Sequence, residues 1–432
     1  MGLMRARIFA VLTIVLAVLW CGSAAVLGAE ANDPPPATPQ LSAAEMNALL
    51  DLLVAKGLLT PEELEQLKQQ AAAEAAQPVP PPPPPPPPPA PEKPKYPTTK
   101  FKVRLQPRFS SVENDENQPY FGERDEQSGN DGFSIRRARL YLFGQLNPQV
   151  GYTIQYQADA GAENPNLHIA QAEWKGWQPI NLVAGQLQTP FGYEITLCDA
   201  YLLTIDRAVV SDFIPPDKDL GVRFDSKIPI AGKLNYQFFV GNGGTKYKPN
   251  PNGGLLWVGR VTASPAPHLC MGADYSINSD TDASPYQSRF LKKNGDPYGL
   301  LPFYSAARMD ERAWSADFQY QLAPFALWGE YIRGRLRPRE GGVVTADGWY
   351  VDVGYFVPYQ GRDDKLQLVA EYQRFDANKA VTDRFDLGAT TLGLNYYIVG
   401  YEQMLRLNYV WMNEKVDSVD NNRLILQYQL WF

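Results

Sequence analysis

The sequence predicts an all-β fold, a 16-stranded antiparallel transmembrane β-barrel preceded by a short helical hairpin and a polyproline linker. Three observations predict it. From Phe101 onward, apolar and polar residues alternate with period two in segments of about ten residues, as in strands that face lipid on one side and water on the other. The connections alternate as well, long after odd-numbered segments and short after even-numbered ones, the rhythm of external loops and periplasmic turns. Beyond the N-terminus no window is long and apolar enough for a membrane-crossing helix, so any span must be made by strands.

Residues 1–31 read as a secretory signal peptide. Arg5 and Arg7 precede the apolar run Ile8–Trp20, which is short for a membrane span, and Ala29-Glu30-Ala31 fits a cleavage site. The bulky Trp20 before Cys21 argues against lipidation. Cleavage would leave Cys198 and Cys270, which allow one bridge but no disulfide framework, and two free thiols are expected.

Residues 32–77 are predicted to form a periplasmic helical hairpin. Met46, Leu49, Leu50, Leu53 and Val54 repeat at helical spacing, and Gly57 supplies a stop. In the second helix Thr60 is the N-cap, Pro61 takes the first helical position and Glu63 completes a capping box. A hairpin this small needs a further surface to be stable, and Leu58, Leu59, Leu64 and Leu67 offer one. Residues 78–95 form the linker. Pro78–Pro91 is nearly all proline, a semi-rigid polyproline II rod on the order of 40 Å long. It reads either as an inert stalk or as a tether or oligomerisation arm, with peptidoglycan or a periplasmic protein as its partner.

Residues 96–432 supply the barrel. Strands are predicted near 101–109, 133–144, 150–159, 167–175, 180–188, 219–227, 233–241, 255–264, 268–276, 311–321, 325–334, 347–357, 365–377, 386–397, 403–414 and 422–432. The last shows the pattern best. Leu424, Leu426, Tyr428, Leu430 and Phe432 share one face, and Arg423, Ile425, Gln427, Gln429 and Trp431 the other. Phe101, Val103 and Leu105 likewise oppose Lys102, Arg104, Gln106 and Arg108. Pro and Gly gather in the tight turns, where their backbone preferences belong.

One connection stands apart, near 189–218. It breaks from its strand at Thr189-Pro190-Phe191-Gly192 and carries Tyr, Leu, Ile, Val and Phe among its acids. A long, half-apolar loop needs a surface to pack on. The expectation is that it folds into the lumen as a pore constriction.

Two stretches resemble the phosphate-selective porin O and P family. They are Phe133-Ser134-Ile135-Arg136-Arg137-Ala138-Arg139-Leu140-Tyr141-Leu142-Phe143-Gly144 and Gly185-Gln186 with Pro190-Phe191-Gly192-Tyr193-Glu194, supported by the terminal Phe432. The resemblance covers roughly residues 100–432. It implies a homotrimeric channel of the Gram-negative outer membrane with the third loop folded inward, and phosphate binding by inward basic clusters.

Side-chain parity places Lys102, Arg104, Arg108, Arg137, Arg139, Arg223, Arg406 and Arg423 in the lumen, most of them near the seam where the last strands meet the first. Lumen acids such as Glu371 and Asp159 are available to neutralise them. The loop holds Glu194, Asp199, Asp206, Asp212 and Asp217 against Arg207 and Lys218, five acids to two bases and a formal charge of −3. A phosphate-binding constriction would reverse that balance. An acidic loop facing a basic wall across a gap would instead set up a transverse field, sorting solutes by size and dipole.

Other classes are disfavoured. A net charge of −7 with acids and bases mixed along the chain is wrong for nucleic acid. His168 and His268 are the only histidines, and no hydrolase, zinc or phosphate-loop motif is present. Asn278–Asp282 lacks the glycine and closing glutamate of a calcium loop. No catalytic residue, metal site or cofactor is expected. The expected partners are outer-membrane lipid and small ions or solutes in the pore. The function expected is passive diffusion of small hydrophilic solutes through the outer membrane. The alternatives are an anion- or phosphate-selective channel and a structural barrel tethering the membrane to the cell wall.

Overall fold

The chain divides into two units, Met1–Lys93 and Pro94–Phe432. The computed structural model describes residues 96–113, 131–158, 166–177, 179–226, 234–244, 249–250, 253–281, 309–338, 342–382, 386–416 and 420–432, with residues 54, 56, 60–66 and 69 of the first unit. The predicted signal peptide, most of the hairpin and the proline rod lie outside the described residues. In the first unit the capping box is formed. Glu63 N–H donates to Thr60 Oγ1 at 3.3 Å, and Thr60 N–H donates back to Glu63 Oε2 at 2.9 Å.

The second unit is a closed antiparallel barrel of sixteen strands, each paired with its neighbours in sequence and the first with the last. They are β1 Thr98–Val112, β2 Gly132–Asn147, β3 Val150–Gln157, β4 Asn166–Trp174, β5 Ile180–Gln188, β6 Lys218–Ser226, β7 Leu234–Gly241 and β8 Leu256–Ala266. Then follow β9 Leu269–Thr281, β10 Met309–Leu322, β11 Phe325–Pro338, β12 Val344–Tyr359, β13 Arg362–Asp376, β14 Asp386–Val399, β15 Gln403–Glu414 and β16 Arg423–Trp431. All sixteen predicted segments fall on these strands, and several strands run further than predicted, β9 as far as Thr281.

The tight turns show why the chain reverses where it does. Gln360 and Gly361 both have positive φ, 50° and 74°, the type I′ geometry whose twist matches a two-residue hairpin. The seam is closed by Val103 and Phe432, which exchange backbone hydrogen bonds of 2.7 and 3.1 Å.

Alternation sorts the two faces. Phe101, Leu142, Ile154, Trp257, Trp314 and Leu368 are exposed on the outside, as a lipid-facing band requires. Arg104, Gln106, Asp352, Asn395, Gln427 and Gln429 point inward and are buried. Buried polar side chains need partners, and what fills the lumen to provide them is the loop between β5 and β6, residues 189–217. It contains two short helices, α1 Tyr193–Thr196 and α2 Val209–Phe213. Phe191, Leu203, Val210, Phe213 and Ile214 of the loop form one apolar core with Trp328, Ile332, Tyr350, Val369 and Phe375 of the wall. Each such side chain contributes about 1.5–3 kcal/mol relative to exposure.

Candidate functional site: the loop-filled lumen

The neck of the loop is tied first. Thr189 donates its N–H to Asp217 O at 3.1 Å and its hydroxyl to Pro216 O at 2.6 Å, so both ends leave the wall together. Gly192 then turns with φ 74°, a conformation that favours glycine. Its N–H donates to Asp274 at 3.2 Å, and Tyr193 N–H donates to Glu330 at 3.2 Å. The backbone donors at the start of α1 are thus taken up by carboxylates of β9 and β11.

The middle of the loop carries Asp199 to the opposite wall. Arg104 approaches it at 2.6 Å and Arg139 at 3.4 Å, and Arg137 makes a third ion pair. Asp206 accepts a forked pair of hydrogen bonds from Arg108, at 2.7 and 3.3 Å, and lies 3.9 Å from Arg136. Between them, Arg406 donates to the carbonyls of Leu202 and Leu203 at 2.7 and 2.9 Å and also to that of Thr204. Asn408 Oδ1 accepts Ile205 N–H at 2.8 Å. The returning arm docks through α2: Val209 N–H donates to Gln373 at 2.7 Å, and Phe213 meets Phe375 edge-on at 4.6 Å. Wall glycines make room for it. A Cβ on Gly348 would come within 2.8 Å of Val210, and one on Gly354 within 2.8 Å of Leu203.

The electrostatics follow from that docking. Burial alone would raise the Asp199 carboxyl, but Arg104, Arg137 and Arg139 hold it well below the usual carboxylate range. Asp206 is likewise lowered against its burial, by Arg108, Arg136 and Arg423. Glu194 goes the other way. Burial and the neighbouring Glu371 push it well above the ordinary value, against the smaller opposing effects of Ser211, Arg207 and the Ala208 N–H.

The remaining predicted residues are placed as follows. Lys102 Nζ lies 5.2 Å over the Trp431 ring. Arg223 pairs with Asp225 on its own strand at 2.7 Å and donates to the carbonyl of Gln188, beside the neck of the loop, at 3.0 Å. Arg423 lines a small cavity with Thr204, Asp206, Arg207 and Glu371. Asp212 is partly exposed, 3.9 Å from Arg207, and Asp217 pairs with Lys218 at 2.8 Å. The expected gap between acidic loop and basic wall is therefore closed at Asp199 and Asp206, which touch the arginines directly. The physical reason is desolvation: a guanidinium enclosed by the loop is costly without a counter-charge in contact. Glu371, offered by the sequence as a counter-charge for lumen bases, faces acids instead.

Two features escaped the sequence. Arg136 is buried beside Arg137, although alternation sends it to lipid. The register slips there because Pro107 on β1 sits opposite a bulge between Ile135 and Arg137. A proline within a strand pattern is the available signal, since it cannot donate to the ladder. The acidic wall of Asp274, Asp317, Glu330, Asp352 and Glu371 was legible by parity, but nothing marked it as the loop's second anchorage.

The loop does not fill the lumen evenly. Inward side chains from β9 to β16 are largely buried beneath it, whereas Thr153, Gln155, Gln171, Glu173, Arg223 and Asp225 on β3 to β6 keep solvent exposure.

The sequence profile described as phosphate-selective porin O and P matches residues 108–295 and 302–432. No curated protein sequence matches the chain. In fold, the chain is similar to an anion-selective porin from Comamonas acidovorans, with TM-score 0.55, 12% identity, and 78% of this chain and 99% of that one covered. It is similar to OmpT of Vibrio cholerae in its trimer form, with TM-score 0.53, 12% identity and coverage of 78% and 99%. It is also similar to the outer-membrane channel DcaP of Acinetobacter baumannii, with TM-score 0.51, 12% identity and coverage of 77% and 97%.

Proposed function

The chain belongs to the phosphate-selective porin O and P family and is an outer-membrane porin for passive diffusion; from that premise we propose that it is a general pore for small hydrophilic solutes, not a tuned phosphate channel. The observation that carries this reading is that the loop's acids engage the very arginines an anion would need. Arg104, Arg137 and Arg139 converge on Asp199, and Arg108 and Arg136 on Asp206. The groups left along β3 to β6 include the Arg223–Asp225 pair, and the loop's partly exposed rim carries Arg207–Asp212 and Lys218–Asp217. Paired charges leave little net field to sort ions.

A second reading, anion preference, is favoured by one observation. Three arginines share Asp199, so the basic seam keeps an excess of positive charge. Single-channel recording across a KCl gradient separates the two. Weak selectivity without phosphate block is expected, and strong anion preference with tight phosphate block overturns the general-pore reading.

Assembly as a homotrimer is supported by the wall itself. Strands β3 to β7 have 8 or 9 residues, against 12 to 16 in β9 to β15. At about 3.3 Å per residue and a tilt of about 40°, they stand roughly 20–23 Å tall, short of the roughly 25 Å apolar band. A neighbouring subunit would cover that deficit. Native mass spectrometry of the detergent-extracted protein tests it, and a monomer would refute it.

For the N-terminal unit the proposal is a cleaved signal peptide over 1–31, then a periplasmic hairpin and proline rod reaching peptidoglycan or a periplasmic partner. Protein lacking residues 32–95 is expected to conduct normally while losing cell-wall association. A truncated barrel that closes would favour a structural role over a channel.

A further inference from the structure

The lumen holds two buried trios of carboxylates, and they differ in one respect. In Asp274, Asp317 and Glu330, Arg260 lies between two members, 2.6 Å from Asp274 and 2.8 Å from Asp317. In Glu194, Asp352 and Glu371, each residue offers an oxygen within 4.8 Å of the others and all three are buried, yet none makes an ion pair among the described residues. Arg207, the base that Glu194 feels, turns its guanidinium to the carbonyls of Glu194 and Leu197 and to Asp212 at 3.9 Å, not to the carboxylates of the trio.

Hydrogen bonds hold one oxygen each of Glu194 and Asp352 and both oxygens of Glu371. Glu194 Oε2 accepts Ala208 N–H at 3.0 Å, and Asp352 Oδ2 accepts the Trp328 indole N–H at 2.6 Å. Glu371 accepts from Gln373 at 2.8 Å, Thr391 at 3.3 Å and Thr204 at 3.4 Å. The other oxygens of Glu194 and Asp352 are buried and receive no donor. Fixed carboxylates with open oxygens and no cationic side chain have the chemistry of a hard-cation site.

We propose that Glu194, Asp352 and Glu371 bind a divalent cation, best matched to Ca2+, which clips the third loop to β12 and β13. Ca2+–oxygen bonds of about 2.3–2.6 Å in a flexible coordination shell place opposed ligands up to roughly 5 Å apart, so oxygens within 4.8 Å of one another can share one ion, whereas Mg2+ demands near-ideal octahedral geometry and usually keeps several waters. Two ligands come from neighbouring strands of the wall and one from α1 of the loop, so the ion ties the loop to the wall. The site stands on the loop's position and not on conduction, so it can be tested by binding alone.

Trp328 supplies the readout. Its indole donates directly to Asp352, close enough to sensitise luminescence from Tb3+ used as a Ca2+ substitute. The test uses purified full-length barrel, with heat-modifiable migration on gels showing that each variant is folded. Tryptophan-sensitised Tb3+ emission that Ca2+ displaces is expected, with matching calorimetric binding of Ca2+. Glu194→Gln and Asp352→Asn should each weaken Ca2+ binding at least tenfold. Trp328→Phe should remove the emission and keep the calorimetric binding. Absence of calorimetric Ca2+ binding by the folded wild-type barrel overturns the proposal and leaves protons to neutralise the trio. Binding that both carboxylate variants retain at wild-type affinity also overturns it, because the ion then sits elsewhere.

Discussion

Asp199→Asn is the sharpest perturbation of the docked loop. The carboxylate is buried with three guanidiniums around it, Arg104 at 2.6 Å, Arg139 at 3.4 Å, and Arg137. Asparagine keeps the shape and one acceptor oxygen but withdraws the charge. Removing one partner of a buried ion pair costs about 3–5 kcal/mol, because the other charge stays enclosed and uncompensated. At about 1.4 kcal/mol per factor of ten, the loop's preference for the docked state falls by roughly two to three and a half orders of magnitude. The barrel should survive, since its strand ladder does not pass through Asp199. In planar bilayers the variant is expected to flicker between conductance levels and to move its reversal potential toward anions, as the arginines become accessible. Asp212→Asn is the control. Its side chain is 43% exposed and 3.9 Å from Arg207, a pairing worth at most about 1 kcal/mol, so the potential should shift slightly without flicker. Quiet, wild-type records from Asp199→Asn would refute the idea that this ion cluster holds the loop.

Arg406→Met removes the charged donor to the carbonyls of Leu202, Leu203 and Thr204; bonds from a charged group contribute about 1.5–3 kcal/mol each, so amide exchange over 202–206 should accelerate at least a hundredfold, and Arg406→Lys should restore only part of it because lysine lacks the Nε–H that donates to Asn395 Oδ1 and fixes the group's orientation. Gly192→Ala forces φ 74° on an L side chain and sets its Cβ 2.9 Å from Glu330 Oε1; a cost of about 1–2 kcal/mol from the backbone alone should appear as lost amide protection at Tyr193, and unchanged protection would contradict it. The pH response follows from Asp199 and Asp206, both held below the ordinary carboxylate value. Their contribution to docking is fully present above the unfolded pKa of about 3.9 and is lost as pH falls through the lower folded values, so these anchors should be indifferent between pH 7 and 5 and release only in strong acid, as followed by single-channel noise.

Much of the barrel was legible because its physics is local. A strand between lipid and water must alternate, and a hairpin must turn, so sixteen segments and the place of the third loop could be read directly. The docking contacts were not legible in the same way. Asp199 meets Arg104 across the lumen, and whether an acid and a base face each other across water or touch depends on how far the loop leans. Arg136 was hidden for a different reason: a single bulge opposite Pro107 reverses its face. The carboxylate trio joins residues 194, 352 and 371, a spacing that belongs to no motif because strand pairing sets Asp352 opposite Glu371 and only the inward course of the loop brings Glu194 to them.

The pairing of β1 with β16 has a consequence for how the protein is built. Arg104 and Arg108 lie on β1, Arg136 and Arg137 on β2, Arg406 and Asn408 on β15, and Gln427, bonded to Arg108, on β16. These strands flank the junction between the two ends of the sheet. The cradle for residues 199–206 therefore does not exist in an open sheet and comes into being only when that junction closes. Once formed, it is braced from inside, because the loop grips β1 and β2 through Asp199 and β15 through Ile205 and Leu202. The segment that fills the lumen thus also acts as a rivet across the joint between the first and last strands of the wall.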